Sequence, residues 1–304
     1  MTTADPTVTR PTGSAAPGLD LLSPGRVLRD RIATLLVCAA FGLAMIPLAW
    51  ILWSVVSNGW HLLVESQWWT HSQRSITQDR PGGGAYHAIF GTLVQAIICS
   101  LIAVPLAVFT AIYLVEYGRG RLARVVSFMV DILTGIPSIV AALFIYAVWV
   151  TTFHAQRVGF AVSLSLVLLM IPVVVRSTEE MLKLVPNELR EASYALGVPK
   201  WKTIARIVVP TALGGIVTGI MLGLARVMGE TAPLLILGPY AAGINTNLFS
   251  GFMAALPTMI RENFGTGDAA ATERMWAAAL TLIIVVLLLN LAGRFVARFS
   301  GVKK

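Results

Sequence analysis

Apolar positions run along this chain in six blocks, residues 33–56, 88–114, 125–150, 159–175, 207–228 and 275–299, parted by short polar stretches. A helix needs about 20 residues to cross the roughly 30 Å hydrocarbon layer of a bilayer. The pattern therefore predicts an all-α polytopic membrane protein with six transmembrane helices. The fourth block is short and is read as continuing past Arg176. A further apolar stretch, 233–260, is broken by Gly238, Pro239, Gly243, Asn245 and Pro257. It is read as an outer segment that dips back into the bilayer, where non-helical backbone must be covered by protein. Residues 1–25 are rich in Thr, Pro, Ser, Ala and Gly and are expected to be disordered. Leu21–Leu22 is too short for a signal peptide core. The organisation expected is a tail at 1–32, a first span with its outer segment at 33–86, a core at 87–296 holding a long inner loop at about 176–206, and a basic tail at 297–304. Trp60, Trp68 and Trp69, in the outer segment, are expected at the membrane interface.

Composition agrees: of 304 residues 56% are hydrophobic and 12% charged, against about 25% charged in soluble domains. The net charge of +8 raises the question of nucleic acid, and the positions of the charges answer it. With the N-terminus inside, the inner side receives Arg26, Arg29, Arg31, Arg119, Arg121, Arg124, Arg176, Lys183, Arg190, Lys200, Lys202, Arg206, Arg294, Arg298, Lys303 and Lys304. The outer side receives Arg74, Arg80, Arg157, Arg261 and Arg274. Excess inner Lys and Arg set orientation, so both termini are expected in the cytoplasm of a multi-pass plasma-membrane protein. The basic balance then reflects the lipid bilayer, with no nucleic acid partner. Cys38 and Cys99 sit in apolar runs and read as small buried hydrophobes. His61, His71, His87 and His154 have no metal-ligand spacing. No P-loop, nucleophile elbow or HExxH is present, so no metal, cofactor or catalytic cluster is expected on this chain.

The longest inner loop, RSTEEMLKLVPNELREASYALGVPKWKTIARIVVP, has its own architecture. Val185-Pro186-Asn187-Glu188 has the chemistry of a helix start, and Leu189, Ala192, Tyr194 and Leu196 supply an apolar face. Gly197 predicts a left-handed or open stop. Pro199 suits a turn or the first turn of a second helix, from about Trp201. The result is a compact knob. Glu191, Ala192, Gly197, Ile207 and Pro210 fall in the register of the EAA loop of ATP-binding cassette importer permeases, which this segment resembles; Ser193 and Val209 depart from the pattern. That resemblance implies the type I importer permease fold. It also implies a coupling helix docked in a groove of a separate ATPase, with Glu191, Ala192, Gly197, Pro199, Ile207 and Pro210 as coupling residues. The other reading of the loop is a basic segment on anionic headgroups. ILTGIPSI, with Gly135 and Pro137, resembles a stretch of the same permeases and predicts a bend in the third span.

In the fifth span Gly215, Gly219, Gly223, Arg226 and Glu230 share one helical face. Glycines at this spacing let helices approach closely, so they read as packing residues. Arg226 lies roughly 24 Å beyond Pro210 along a helix, in the outer half of the bilayer, where a charge costs about 2.5–3.5 kcal/mol on insertion scales. It is a functional candidate, or else it merely neutralises Glu230. The string LARVMGETAP, with VVRSTEEMLKLVPNELREA, resembles phosphate importer permeases of the PstA type. The resemblance implies Arg226 and Glu230 as transport residues, with Thr231 as a hydroxyl donor and Arg176 as a weaker candidate. Arg176 also reads as a snorkelling anchor. Guanidinium matches phosphate with a bidentate fork. Glu230 is expected to tune affinity, by accepting the proton of hydrogen phosphate or by holding Arg226 in reserve. Asp131 reads as a carboxylate that pairs locally. The implied partners are a PstC-type permease in a heterodimer, a PstB-type ATPase dimer carrying ATP and Mg, and an external PstS-type phosphate-binding protein. A permease for another oxyanion or small solute, and an ATPase-independent transporter, are the competing readings.

Overall fold

The computed structural model describes residues 24–300. Residues 1–23 and 301–304, with most of the expected tail and the basic Lys303 and Lys304, lie outside the described residues. Residues 24–32, expected in the tail, are helical and open the first helix, α1 (Pro24–Leu63). The chain divides into two compact units at residues 53 and 54. The described part of the first is the N-terminal run of α1, with Leu35, Val37 and Phe41 exposed. Cys38 is exposed too, so only Cys99 is the buried hydrophobe expected of both.

The second unit contains α2 (Ser66–Thr70), α3 (Tyr86–Ile112), α4 (Gly120–Gly135), α5 (Ser138–Ile145), α6 (Gly159–Lys183), α7 (Asn187–Ala195), α8 (Lys200–Thr203), α9 (Val209–Met228), α10 (Ala232–Leu237), α11 (Leu256–Asn263) and α12 (Ala269–Ser300). Three π turns extend helices, at Tyr113–Tyr117, Tyr146–Thr152 and Ile204–Val208. Among the described residues no strand occurs, and five helical stretches are long and apolar enough to span a bilayer. The expected third span is the exception. It is two helices, α4 and α5 with its π turn, bent by 108°. Gly135 ends α4, Ile136 takes the extended conformation favoured before proline, and Pro137 lacks the N–H that would continue the ladder. The sixth span exists only if this bent pair counts as one.

The core is built on α6, two thirds of whose most apolar window is buried against about a fifth in α3 and α12. On one side α3 presents a seam of small side chains, Ala96, Cys99, Ala103, Ala107 and Ala111, all buried. Seams of this kind bring backbones close when no hydrophobic drive separates protein from lipid. On the other side α9 runs antiparallel to α6. A Cβ on Gly215 would overlap Met181 and one on Gly219 would overlap Ser177, while one on Gly223 would stand 3.2 Å from Val174.

The stretch 233–260 is α10, an irregular run and the start of α11. Residues 253–256 are buried without being helical at their start, and α3 satisfies them. Gly91 admits the Ala254 carbonyl, the Thr92 hydroxyl accepts from the Leu256 N–H at 2.8 Å, and the Gln95 amide donates to Met253 O at 3.5 Å. Trp68 faces the protein: it is fully buried, and its indole N–H donates to Thr281 at 2.9 Å. Trp60 and Trp69 stay exposed. Arg274, also buried, donates to the carbonyls of Arg80 at 2.6 Å and Gln78 at 2.7 Å and to Asn263 at 3.2 Å, fixing the 77–82 loop.

Candidate functional site

The knob forms as the sequence predicts. Pro186 sits at the N-cap of α7 and Glu188 lies in its first turn, where a carboxylate favours the helix dipole. Gly197 ends it at φ +73°. Its N–H donates to Tyr194 O at 2.9 Å and that of Val198 to Ser193 O at 3.1 Å, the paired bonds of a Schellman stop. Pro199 then opens α8, its carbonyl accepting from Lys202 and Thr203. Ser193 has a reason for departing from alanine: its hydroxyl meets that of Thr203 at 2.8 Å, both buried, and pins α7 to α8. Ile207 lies in the π turn before Pro210. A proline in an ordinary α register clashes with the carbonyl four residues back, and the wider turn relieves it.

Glu191 and Ala192 are exposed, as are Leu189, Tyr194 and Leu196. The apolar face therefore points away from this chain's own core. With Leu184 and Trp201, also exposed, it makes a greasy surface on the knob. The inward side is polar. Arg190 donates to Glu116 at 2.8 and 3.2 Å, to Val185 O at 2.6 Å and to Leu182 O at 3.0 Å. Lys200 donates to the Glu116 carbonyl and lies over the Tyr117 ring. Sequence reasoning placed Arg190 among the inner charges and missed this role; no local pattern links positions 74 residues apart.

Arg176 is no free anchor. It pairs with Asp131 of α4, donates to Glu179 at 2.8 Å, and bonds the Ser127 carbonyl and hydroxyl at 3.2 Å. Asp131 thus pairs locally, as expected. Arg176, Arg124, Lys183, Ser127 and Glu179 line a 350 Å³ cleft beside the knob.

Arg226 stands in the last turn of α9, its side chain 55% exposed. One expectation fails here: Glu230 is not on the helix, because α9 ends at Met228 and Gly229 caps it. The carboxylate nonetheless lies 3.7 Å from Arg226 Nε and is mostly buried. At that distance it is an ion pair and not a hydrogen bond, so the guanidinium keeps its donors for another acceptor. Thr231 starts α10, its carbonyl accepting from Leu235 at 3.0 Å. The glycine face and the Arg226 face are neighbours, and Thr211 and Thr218 continue the exposed polar side of α9 toward the knob. Arg176 is not brought to Arg226. Its neighbour Ser177 faces Gly219, which lies roughly 10 Å short of Arg226 along α9.

At the end remote from the knob, Tyr240 donates to Gln73 at 2.6 Å and meets His87 at 3.1 Å. Burial pushes the Tyr240 phenol well above its usual range, with the Glu262 charge adding to it, so the O–H remains a donor.

The family described as binding-protein-dependent transport system inner membrane component matches residues 103–301. The chain is 55% identical over 275 residues to the phosphate transport system permease protein PstA 1 of Mycobacterium tuberculosis (strain CDC 1551 / Oshkosh), covering 90% of each. It is 52% identical over 285 residues to the phosphate transport system permease protein PstA of Mycobacterium leprae (strain TN), covering 92% of this chain and 94% of that one. Among solved structures it is similar in fold to a bacterial alginate ABC transporter in complex with a periplasmic protein, with TM-score 0.62 and 15% identity over 91% of this chain and 99% of that one.

Proposed function

Because the chain belongs to the binding-protein-dependent permeases of the inner membrane, with the type I importer fold, we propose that it is the phosphate-conducting permease subunit of an ATP-driven importer. The observation that carries this is the half-exposed Arg226 on a spanning helix whose carboxylate partner stands at 3.7 Å. A charge in the membrane is expensive. One that keeps its fork of donors unbound and open to a path is suited to a tetrahedral oxyanion. Glu230 keeps the affinity low enough for release, since a conducting site must bind weakly. Thr231 lies beside them as a neutral donor.

In this reading both termini are cytoplasmic and Arg226 lies toward the outer face. The chain pairs with a PstC-type permease, receives phosphate from an external PstS-type protein, and is driven by a PstB-type ATPase dimer. ATP and Mg belong to that dimer, and this chain is not a catalyst. The exposed apolar side of α7 supports an ATPase groove as its partner, more than headgroups, because Leu189 is exposed on it and Leu196 at its end is 82% exposed, and aliphatic side chains gain nothing from lipid phosphates.

The test is uptake of radiolabelled phosphate by the complete transporter in liposomes, with ATP hydrolysis measured in parallel. Arg226→Ala abolishes uptake and Arg226→Lys impairs it, with hydrolysis retained. Normal uptake by both variants refutes the role, and loss of hydrolysis together with uptake reassigns Arg226 to coupling or structure.

A further inference from the structure

We infer that the Arg190–Glu116 pair is a latch joining the coupling helix to α3, so that α3 is the rod carrying motion from the knob to the opposite end of the bundle. The inference rests on the permease reading above. The pair is enclosed, with the Arg190 and Glu116 side chains 13% and 6% exposed. Arg190 turns Nε and Nη2 to one Glu116 oxygen, Nη2 also to Leu182 O in the last turn of α6, and Nη1 to Val185 O in the turn after it, so one guanidinium ties α7 to α3 and to the end of α6. Glu116 is held a second time through its carbonyl, by Lys200. That carbonyl is on offer because the helical stretch ends at Tyr117, and the last carbonyls of a helix have no partner within it.

The opposite side of α7 is exposed, so a partner pressing on Glu191 and Ala192 pushes a helix whose inner side is bonded to α3. From Glu116 to Thr92 is roughly 36 Å of helix. At that far end Thr92, Gln95 and Gly91 hold the irregular run at 253–256. A displacement of the knob therefore reaches a segment of non-helical backbone, which can shift without breaking a helix. Buried ion pairs are often no more stabilising than apolar replacements of the same shape. A latch accounts for this one, because it resists sliding between helices in a way that apolar contact does not. Arg190 and Glu116 are thus positioning residues.

The experiment compares phosphate moved per ATP hydrolysed by the complete transporter in liposomes. E116Q is expected to lower that ratio at least tenfold while the complex still co-purifies with its ATPase. In a background lacking the native thiols, E116C/R190C is expected to be equally uncoupled and to recover when a short bifunctional thiol cross-linker bridges the two positions. An unchanged ratio in E116Q overturns the inference. So does loss of assembly in E116Q, which would mark the pair as a folding element, or a cross-linked double variant that stays uncoupled. A wild-type complex that hydrolyses ATP and takes up no phosphate would instead remove the functional reading.

Discussion

Arg176 of α6 grips Asp131 of α4 across 45 positions of sequence, four residues before the glycine where α4 stops. The guanidinium therefore sets the tilt of α4 against α6 just ahead of the 108° break. Its donors are shared among Asp131, Ser127 and Glu179, from which a structural task is the expected outcome. Arg176→Gln is expected to lower the melting temperature of the detergent-solubilised transporter and its maximal uptake rate, leaving the KM for phosphate within twofold. Glu179→Gln should destabilise more than Asp131→Asn, because the Glu179 side chain is 5% exposed and that of Asp131 62%. A raised KM in Arg176→Gln would return the residue to the phosphate path.

Gly214 and Gly215 are neighbours with opposite prospects. A Cβ on Gly214 meets nothing within 4 Å, while one on Gly215 overlaps Met181. Gly214→Ala should stabilise by up to about 1 kcal/mol through helix propensity. Gly215→Val and Gly219→Val should cost about 1–3 kcal/mol by overpacking against α6. Thermal unfolding of the three variants reads the contrast.

Gly197 is set by its backbone and not by crowding, since φ is +73° and the surroundings are open. Gly197→Ala should cost about 1–2 kcal/mol, the left-handed penalty, and Gly197→Asn less. Limited proteolysis of the loop around residue 197 should show the alanine variant cut fastest.

Thr92→Val removes the acceptor for the buried Leu256 N–H. An unpaired buried donor costs about 1–3 kcal/mol. Hydrogen exchange at residues 253–258 should accelerate while exchange along α6 stays slow. Equal acceleration in both would mean that the loop and the core open together.

The spans and the knob were legible because they depend on local patterns. Apolar runs have length, Gly197 follows a short amphipathic stretch, and the EAA spacing counts residues along one loop. Even the bend at Gly135 and Pro137 was visible, though not its size, since proline reports that a ladder stops and not where the next helix points. What escaped was long-range. Glu116 meets Arg190, Thr92 meets Leu256 and Trp68 meets Thr281 across distances that carry no periodic signal. Glu230 failed as a helical residue for a local reason: Gly229 ends α9, and the continuing apolar string concealed it. The carboxylate kept its partner because a capped turn still folds it back toward Arg226.

The greasy surface of Leu184, Leu196 and Trp201 has a consequence for the cell's economy of subunits. In the complex proposed above, a copy inserted into the bilayer before its companions arrive leaves three large apolar side chains uncovered. Such a surface invites chaperones and quality-control proteases, so an orphan copy should have a short half-life. The abundance of this protein would then be set by how much of the motor is made to cover it.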